Sequence, residues 1–237
     1  MTLQYTVQAG VALIALDRPA ARNALNLQMC EALRTAALAA ATDPQVRVVF
    51  VRGNGPVFCA GADVKERTGM TEKQVRERRM KGFAAYAALE ALPMPAIALV
   101  QGAALGSGVE IAAACDFIVA TPNTVFGTPE AVRGTVGATQ RLPRVLGKRL
   151  AKDLMFTGRR LTAEEARTAG FVARINVDLD EEMDKIAKAI LEAPPDAVRL
   201  AKQCIDRGIE LDPQGALDVE LQAIEQQLAS GKWMGKS

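Results

Sequence analysis

Apolar residues recur at two different periods along this chain, and the changes between them mark its elements. "LQYTVQ" and "VALIALD" are short runs rich in branched residues on either side of Ala9 and Gly10, which predicts two strands joined by a turn. "LNLQMCEALRTAALAAA" places Leu27, Cys30, Leu33, Ala37 and Leu38 at helical spacing. "VRVVFVRG" reads as a buried strand. "MTEKQVRERRMKGFAAYAALEAL" reads as a long helix, charged in its first half and apolar in its second. "PAIALV" is a further short buried strand, followed by a glycine-rich turn. "IAAAC" continues a helix, "DFIVAT" is a strand, and "TPEAV" starts another helical turn. Strand, loop and helix in repeated succession predict an α/β core with parallel strands.

After residue 137 the pattern turns helical. "TQRLPRVLG", "KRLAKDLMFTG", "TAEEARTAG", "DEEMDKIAKAILEA", "DAVRLAKQCIDRGIE" and "PQGALDVELQAIEQQLA" all carry a helical period, and only "FVARIN" is strand-like. "APPDA" punctuates two of these helices. No low-complexity segment or block of like charge appears.

Composition narrows the chemistry. With 237 residues, 49% hydrophobic and 24% charged, the chain has the makeup of a soluble globular protein with one sizeable core. Its net charge of +2 leaves no electrostatic footprint for nucleic acid or an anionic membrane. No apolar run is long enough to span a bilayer, and "MTLQYTVQAG" lacks the basic start and apolar core of a signal peptide, so the cytoplasm is the expected location. Cys30, Cys59, Cys115 and Cys204 form no C-x-x-C pair and read as free thiols, with Cys59 and Cys115 as small core residues. The chain has no histidine at all. Ser-His-Asp triads, Cys-His pairs and His-ligated zinc are therefore excluded, and proton chemistry near neutral pH falls to carboxylates, Lys, Tyr or Cys.

Two carboxylates stand out. Glu110 interrupts the almost wholly apolar "GAALGSGVEIAAACD", and a buried carboxylate is costly unless it is paired or used. Glu130 follows Thr128 and Pro129 in "FGTPE", where Thr128 can cap a helix, Pro129 suits its first position and Glu130 falls in its first turn. In "FCAGADVKE" the small residues Ala60, Gly61 and Ala62 let a ligand approach backbone N–H groups closely. A dinucleotide site is a weaker match to the glycine loop. Gly102, Gly106 and Gly108 do not have the G-x-G-x-x-G spacing, and "DFIVAT" does not end in an acidic residue.

Together "RNALN", "FCAGADVKE", "GAALGSGVEIAAACD", "FGTPE", "TQRLPRVLGKRLAKDLMFTGRRL" and "AEEARTAGFV" resemble, in register, the enoyl-CoA hydratase/isomerase family, also called the crotonase family. The resemblance runs from about Val11 to about Asn176. It implies an α/β fold, a crotonase-like spiral of ββα units over residues 1–176. It also implies a helical C-terminal region over residues 177–237 that covers the acyl pocket and makes trimer contacts. A homotrimer or dimer of trimers is the implied assembly. Glu110 and Glu130 match the family's pair of catalytic glutamates, which in hydratases hold a water beside the acyl-CoA double bond. Ala62 and Ser107 match the two backbone N–H donors of its oxyanion hole. Arg22, Ala60, Ala62 and Lys65 match positions that meet coenzyme A. Coenzyme A enters as part of the substrate, so no separate cofactor and no metal is expected.

The implied activity is hydration of a 2-enoyl-CoA by an acyl-CoA lyase. Other readings remain at this point: a double-bond isomerase, another enolate-forming enzyme on the same scaffold, or a non-catalytic acyl-CoA or partner-binding member. Single residues also have plainer readings. Lys65 serves equally as a solvated surface lysine, Ser107 as an N-cap, and Asp63 as the cap of a turn. Ser107 replaces a residue that is usually glycine in the family. The stretch "AVRGTVGATQRL" is a few residues shorter than usual, and the chain stops at "GKWMGKS" where many relatives continue.

Overall fold

The computed structural model describes residues 2–231. β1 (Leu3–Gln8) and β2 (Val11–Leu16) form an antiparallel hairpin. α1 (Leu27–Thr42) then leads to β3 (Val48–Gly53), and α2 (Glu72–Glu90) to β4 (Ala96–Val100). β5 (Ala103–Leu105) and α3 (Ser107–Ala113) precede β6 (Phe117–Ala120) and β7 (Val125–Gly127). α4 (Arg141–Thr157), β8 (Leu161–Thr162), α5 (Ala163–Thr168), β9 (Arg174–Ile175) and α6 (Leu179–Glu192) follow. α7 (Pro195–Gly208) and α8 (Pro213–Ala229) come last. Among the described residues, no helix is long and apolar enough to cross a membrane.

The strands form a 6-stranded sheet in the order β1-β2-β3-β4-β6-β9 and a 3-stranded sheet in the order β5-β7-β8. From β2 onward the larger sheet is parallel, as the alternating strand and helix pattern requires. Parallel sheets are covered on both faces, and the central strands show it. Val49, Val51, Ala96, Ala98 and Val100 face a core shared with α1, α2 and α3, while Val48, Phe50, Ile97 and Leu99 face Leu179, Ile186 and Ala187 of α6. The helical segment that begins after residue 176 thus contributes its first helix to the sheet's second face. α7 and α8 stand apart from it. α7 has no buried residue, α8 buries only Val219 and Ala223, and Ile205, Ile209, Leu217, Leu221, Ile224 and Leu228 are exposed.

Local signals explain most element boundaries. Asn26 caps α1 by accepting from Met29 N at 3.0 Å, and Thr71 with Gln74 forms a capping box on α2. Gly147, at φ 74° and ψ 155°, breaks α4 between the two helical runs read in the sequence. Three expectations change. Leu38, assigned to the buried face of α1, is exposed, because the stripe narrows to Met29, Cys30, Leu33, Ala36, Ala37 and Ala40. Thr128 caps nothing: its hydroxyl is buried without a hydrogen-bond partner among the described residues, and the next element is only a 3₁₀ turn, Ala131–Arg133. Ser107 is the first residue of α3 rather than its N-cap, a place taken by Gly106.

Candidate active site

Two isolated bridges stitch the site loops together, Leu25 to Ala62 and Cys59 to Ala104. In the first, Leu25 N donates to Gly61 O at 2.8 Å and Asp63 N donates to Leu25 O at 2.9 Å. The alternation of a strand directs the intervening Ala62 N–H away from Leu25. Asp63 caps the next turn as expected, accepting from Lys65 N and Glu66 N at 3.1 and 3.3 Å, and it also pairs with Arg18 at 3.0 Å. Ser107 opens α3, where the first N–H groups have no partner inside the helix.

β5 and β7 run parallel with Leu105 opposite Gly127, and Gly106 N donates to Gly127 O at 2.8 Å. This pairing brings the segment carrying Glu130 against the start of α3. A cavity of about 300 Å³ lies there. Ala62, Ser107, Glu110 and Glu130 all line it, as do Ala60 and Tyr86. The structure thus brings together both glutamates and both candidate N–H donors.

Glu110 N donates to Gly106 O at 3.0 Å, so its side chain leaves α3 one turn from the start. The residue is 6% exposed. Burial pushes its carboxyl above the usual carboxylate range, the Arg141 guanidinium opposes this, and repulsion from Glu130 and Glu90 adds to it. Burial likewise raises Glu130, against the opposing pull of Arg133 and Arg79. Glu130 Oε2 is buried with no hydrogen-bond partner among the described residues, whereas Arg141 Nη1 donates to Glu110 Oε2 at 3.2 Å. One carboxyl is ion-paired and the other is not, an asymmetry that can divide acid and base roles between them.

Arg22 and Lys65 are exposed and are not among the residues that line the cavity, although Arg22 O accepts from Ala60 N at 3.0 Å. The guanidinium groups that do line it belong to Arg67, Arg78, Arg79 and Arg133. Arg78 is committed to the fold through Glu66 and the Leu25 carbonyl. Sequence reasoning missed Arg79, Tyr86 and Arg141. The first two had a usable signal, since Arg79, Phe83 and Tyr86 recur at i, i+4 and i+7 on α2 and so share a face. Tyr86 is buried, which pushes its phenol up, and the neighbouring Ser107 side chain opposes this. Burial lifts the Cys30 thiol to about 11 and Cys59 to about 12, so both are inert core residues at neutral pH.

The fold and its cavity define a class: an α/β spiral whose glycine-framed helix start carries one buried glutamate, Glu110, against a half-buried second, Glu130. The chain belongs to the enoyl-CoA hydratase/isomerase family, whose model matches residues 6–234. It is 45% identical over 225 residues to human enoyl-CoA hydratase domain-containing protein 2, mitochondrial, covering 89% of this chain and 76% of that one. It is 36% identical over 219 residues to the crotonyl-CoA hydratase of Syntrophomonas wolfei, covering 90% and 84%. Among solved structures, the enoyl-CoA hydratase from Bacillus anthracis superposes with a TM-score of 0.91 at 38% identity, covering 95% of this chain and 90% of that one. The crotonase-like α/β fold expected from the sequence is the fold observed.

Proposed function

We propose that this protein is an enoyl-CoA hydratase, adding water across the double bond of a 2-enoyl-CoA. The observation that carries the reading is the convergence of Glu110, Glu130, Ala62 and Ser107 on one cavity. The thioester oxygen accepts hydrogen bonds from the backbone N–H groups of Ala62 and Ser107. Glu110, the ion-paired carboxylate, takes a proton from water as the water oxygen bonds to Cβ. The π electrons move onto the thioester oxygen as an enolate, which the two fixed donors stabilise. Glu130, the unpaired carboxyl, holds a proton and delivers it to Cα as the enolate collapses. Proton exchange between the two carboxyls through solvent restores the starting state.

The resemblance extends to coenzyme A contacts at Arg22, Ala60, Ala62 and Lys65, and to a trimeric assembly. Arg67 is a further cation at the cavity wall for the anionic coenzyme. The test is incubation with a panel of 2-enoyl- and 3-enoyl-CoA thioesters, with products identified by mass. A gain of one water supports hydration. An isomer of unchanged mass moves the reading to double-bond isomerisation, and no product from any thioester removes it.

A further inference from the structure

Arg141 is the first residue of α4, far in sequence from both glutamates. Its side chain nevertheless ends against three groups at the edge of the site. Nη1 donates to Glu110 Oε2 at 3.2 Å and Nη2 donates to Glu90 Oε2 at 2.6 Å. The guanidinium carbon lies 5.9 Å from the centroid of the Tyr86 ring, within range of a cation–π contact. Tyr86 in turn lines the reaction cavity together with Ser107 at the start of α3. Glu90 ends α2, so one planar group spans α2, α3 and α4.

We propose that Arg141 is the positioning residue for Glu110: its forked guanidinium, anchored on Glu90 and lying over the Tyr86 ring, aims the Glu110 carboxylate into the reaction cavity. This rests on the hydratase reading only for its kinetic consequence, since the geometry stands without substrate. A fork held at both Nη groups has one orientation, which fixes the bonded oxygen and leaves the other carboxylate oxygen to face the cavity. A lysine would present a single flexible charge and could not bridge both carboxylates in the same plane.

The same contact decides the charge on Glu110. The groups facing it are Arg141 from α4, Tyr86 and Glu90 from α2, and Glu130 from the segment after β7. Arg79, Arg144 and Glu210 line a neighbouring cavity of about 700 Å³ that also includes Glu110. Arg141 stands at hydrogen-bond distance and favours the anion. Burial, Glu130 and Glu90 all oppose it. Without the guanidinium, Glu110 needs a higher pH to ionise, and an opposite charge at this range moves a carboxyl by about one unit or more.

The experiment uses the full-length protein and the variants Arg141→Gln, Arg141→Lys and Glu90→Gln, with circular dichroism to confirm folding. The first readout needs no turnover. Infrared titration of the carboxyl band, assigned to Glu110 by difference against Glu110→Gln, should show its midpoint raised by about one pH unit or more in Arg141→Gln. Arg141→Lys should fall between this variant and wild type, whereas Glu90→Gln, which removes a charge that repels the Glu110 anion, should leave the midpoint at or below that of wild type. The second readout is the pH profile of kcat on the best enoyl-CoA. Arg141→Gln should lose about tenfold or more near neutral pH with KM little changed, and recover part of the loss as pH rises. In a Glu110→Gln background the same substitution should have little further effect. An unmoved Glu110 midpoint in a folded Arg141→Gln variant overturns the proposal. So does a loss of kcat that is the same at every pH, or one that persists undiminished without Glu110. If wild type turns over no enoyl-CoA, the hydratase reading fails while the titration still decides the role of Arg141.

Discussion

The Glu130 carboxyl occupies the space that a side chain on Gly106 would fill: a Cβ built there would sit 2.5 Å from Glu130 Oε1. Gly106 also holds φ 50° and ψ −109°, a conformation that residues with a Cβ rarely adopt. The glycine therefore shapes the turn into α3 and admits the second glutamate at once. Gly106→Ala should displace Glu130 and tilt the start of α3. A displacement of about 1 Å is enough to cost ~10²-fold in rate, and the loss should fall on kcat. Wild-type kcat in a folded Gly106→Ala variant would show that Glu130 does not need this approach.

Charge removal at the glutamates should separate catalysis from stability. Glu110→Gln and Glu130→Gln should each lower kcat by about 10²-fold or more, with little change in coenzyme A affinity measured by calorimetry. Glu130→Gln should also raise the melting temperature near neutral pH. The native state lifts the Glu130 pKa, so it binds that proton more tightly than the unfolded chain does. The stabilisation from this tighter binding is complete below the ordinary carboxylate value and is lost as pH rises through the folded value. The neutral amide avoids that loss, by about 2–4 °C for each kcal/mol recovered in a chain of this size. Its advantage should vanish as pH falls below the ordinary carboxylate range. A melting-temperature difference that is constant from acid to neutral pH would contradict the raised pKa.

Asn23 should be a stability residue with no part in the chemistry. It is fully buried, at φ 53°. Its side-chain amide donates to Asn54 O and Val57 O at 2.9 and 2.8 Å and accepts from Arg18 N at 2.8 Å. Asn23→Ala removes partners from three part-buried backbone groups, at a total cost of about 1–3 kcal/mol. Urea unfolding should show a lower midpoint with an unchanged slope, while kcat of the folded fraction stays near wild type.

The short, wholly apolar runs of β3 and β4, the helical stripe of α1 and the charged-then-apolar run of α2 were readable because each follows directly from the local geometry and burial of one element. The glutamates were readable for a different reason. Glu110 is an apolar run's one carboxylate, and the surrounding motifs set it in register with a family. Arg141 was not readable: nothing near it in sequence announces that α4 returns to α2 and α3, and only the tertiary fold puts its guanidinium between Glu90 and Glu110. Thr128 shows the converse. It has the residue type and spacing of a cap, but burial beside β7 leaves no helix of useful length for it to cap. Leu38 failed because a spacing rule gives the direction of a stripe and not its width.

The exposed apolar residues of α7 and α8 should be covered in solution by neighbouring copies. Ile205, Ile209, Leu217, Leu221, Ile224 and Leu228 form more exposed apolar surface than an isolated helical pair ordinarily leaves to water. A closed trimer, as the family resemblance implies, would cover them symmetrically. Light scattering at micromolar concentration should give a mass of three chains or a multiple of three. The paired change Leu217→Glu and Leu221→Glu should shift it downward, and a stable wild-type monomer would exclude obligate assembly.

Ser107 gives the finest test of the oxyanion assignment, because its hydroxyl and its backbone N–H can be removed separately. The hydroxyl lies near Tyr86, while the N–H is at the open start of α3. If only the N–H meets substrate, Ser107→Ala and Tyr86→Phe should both stay within about tenfold of wild type in kcat, since neither removes the donor and a side-chain hydroxyl contact is worth about 0.5–1.5 kcal/mol. Ser107→Gly should behave like alanine and accept bulkier acyl groups. Ser107→Pro removes the donor, and loss of one oxyanion donor costs about 10²–10³ in kcat. Proline is compatible with the first position of a helix, so the variant can keep its fold, and circular dichroism checks this. Alanine as damaging as proline in two folded variants would place the hydroxyl in the reaction and withdraw the backbone assignment. Alanine mild and Tyr86→Phe severe would instead show that the tyrosine acts on the site by a route other than Ser107.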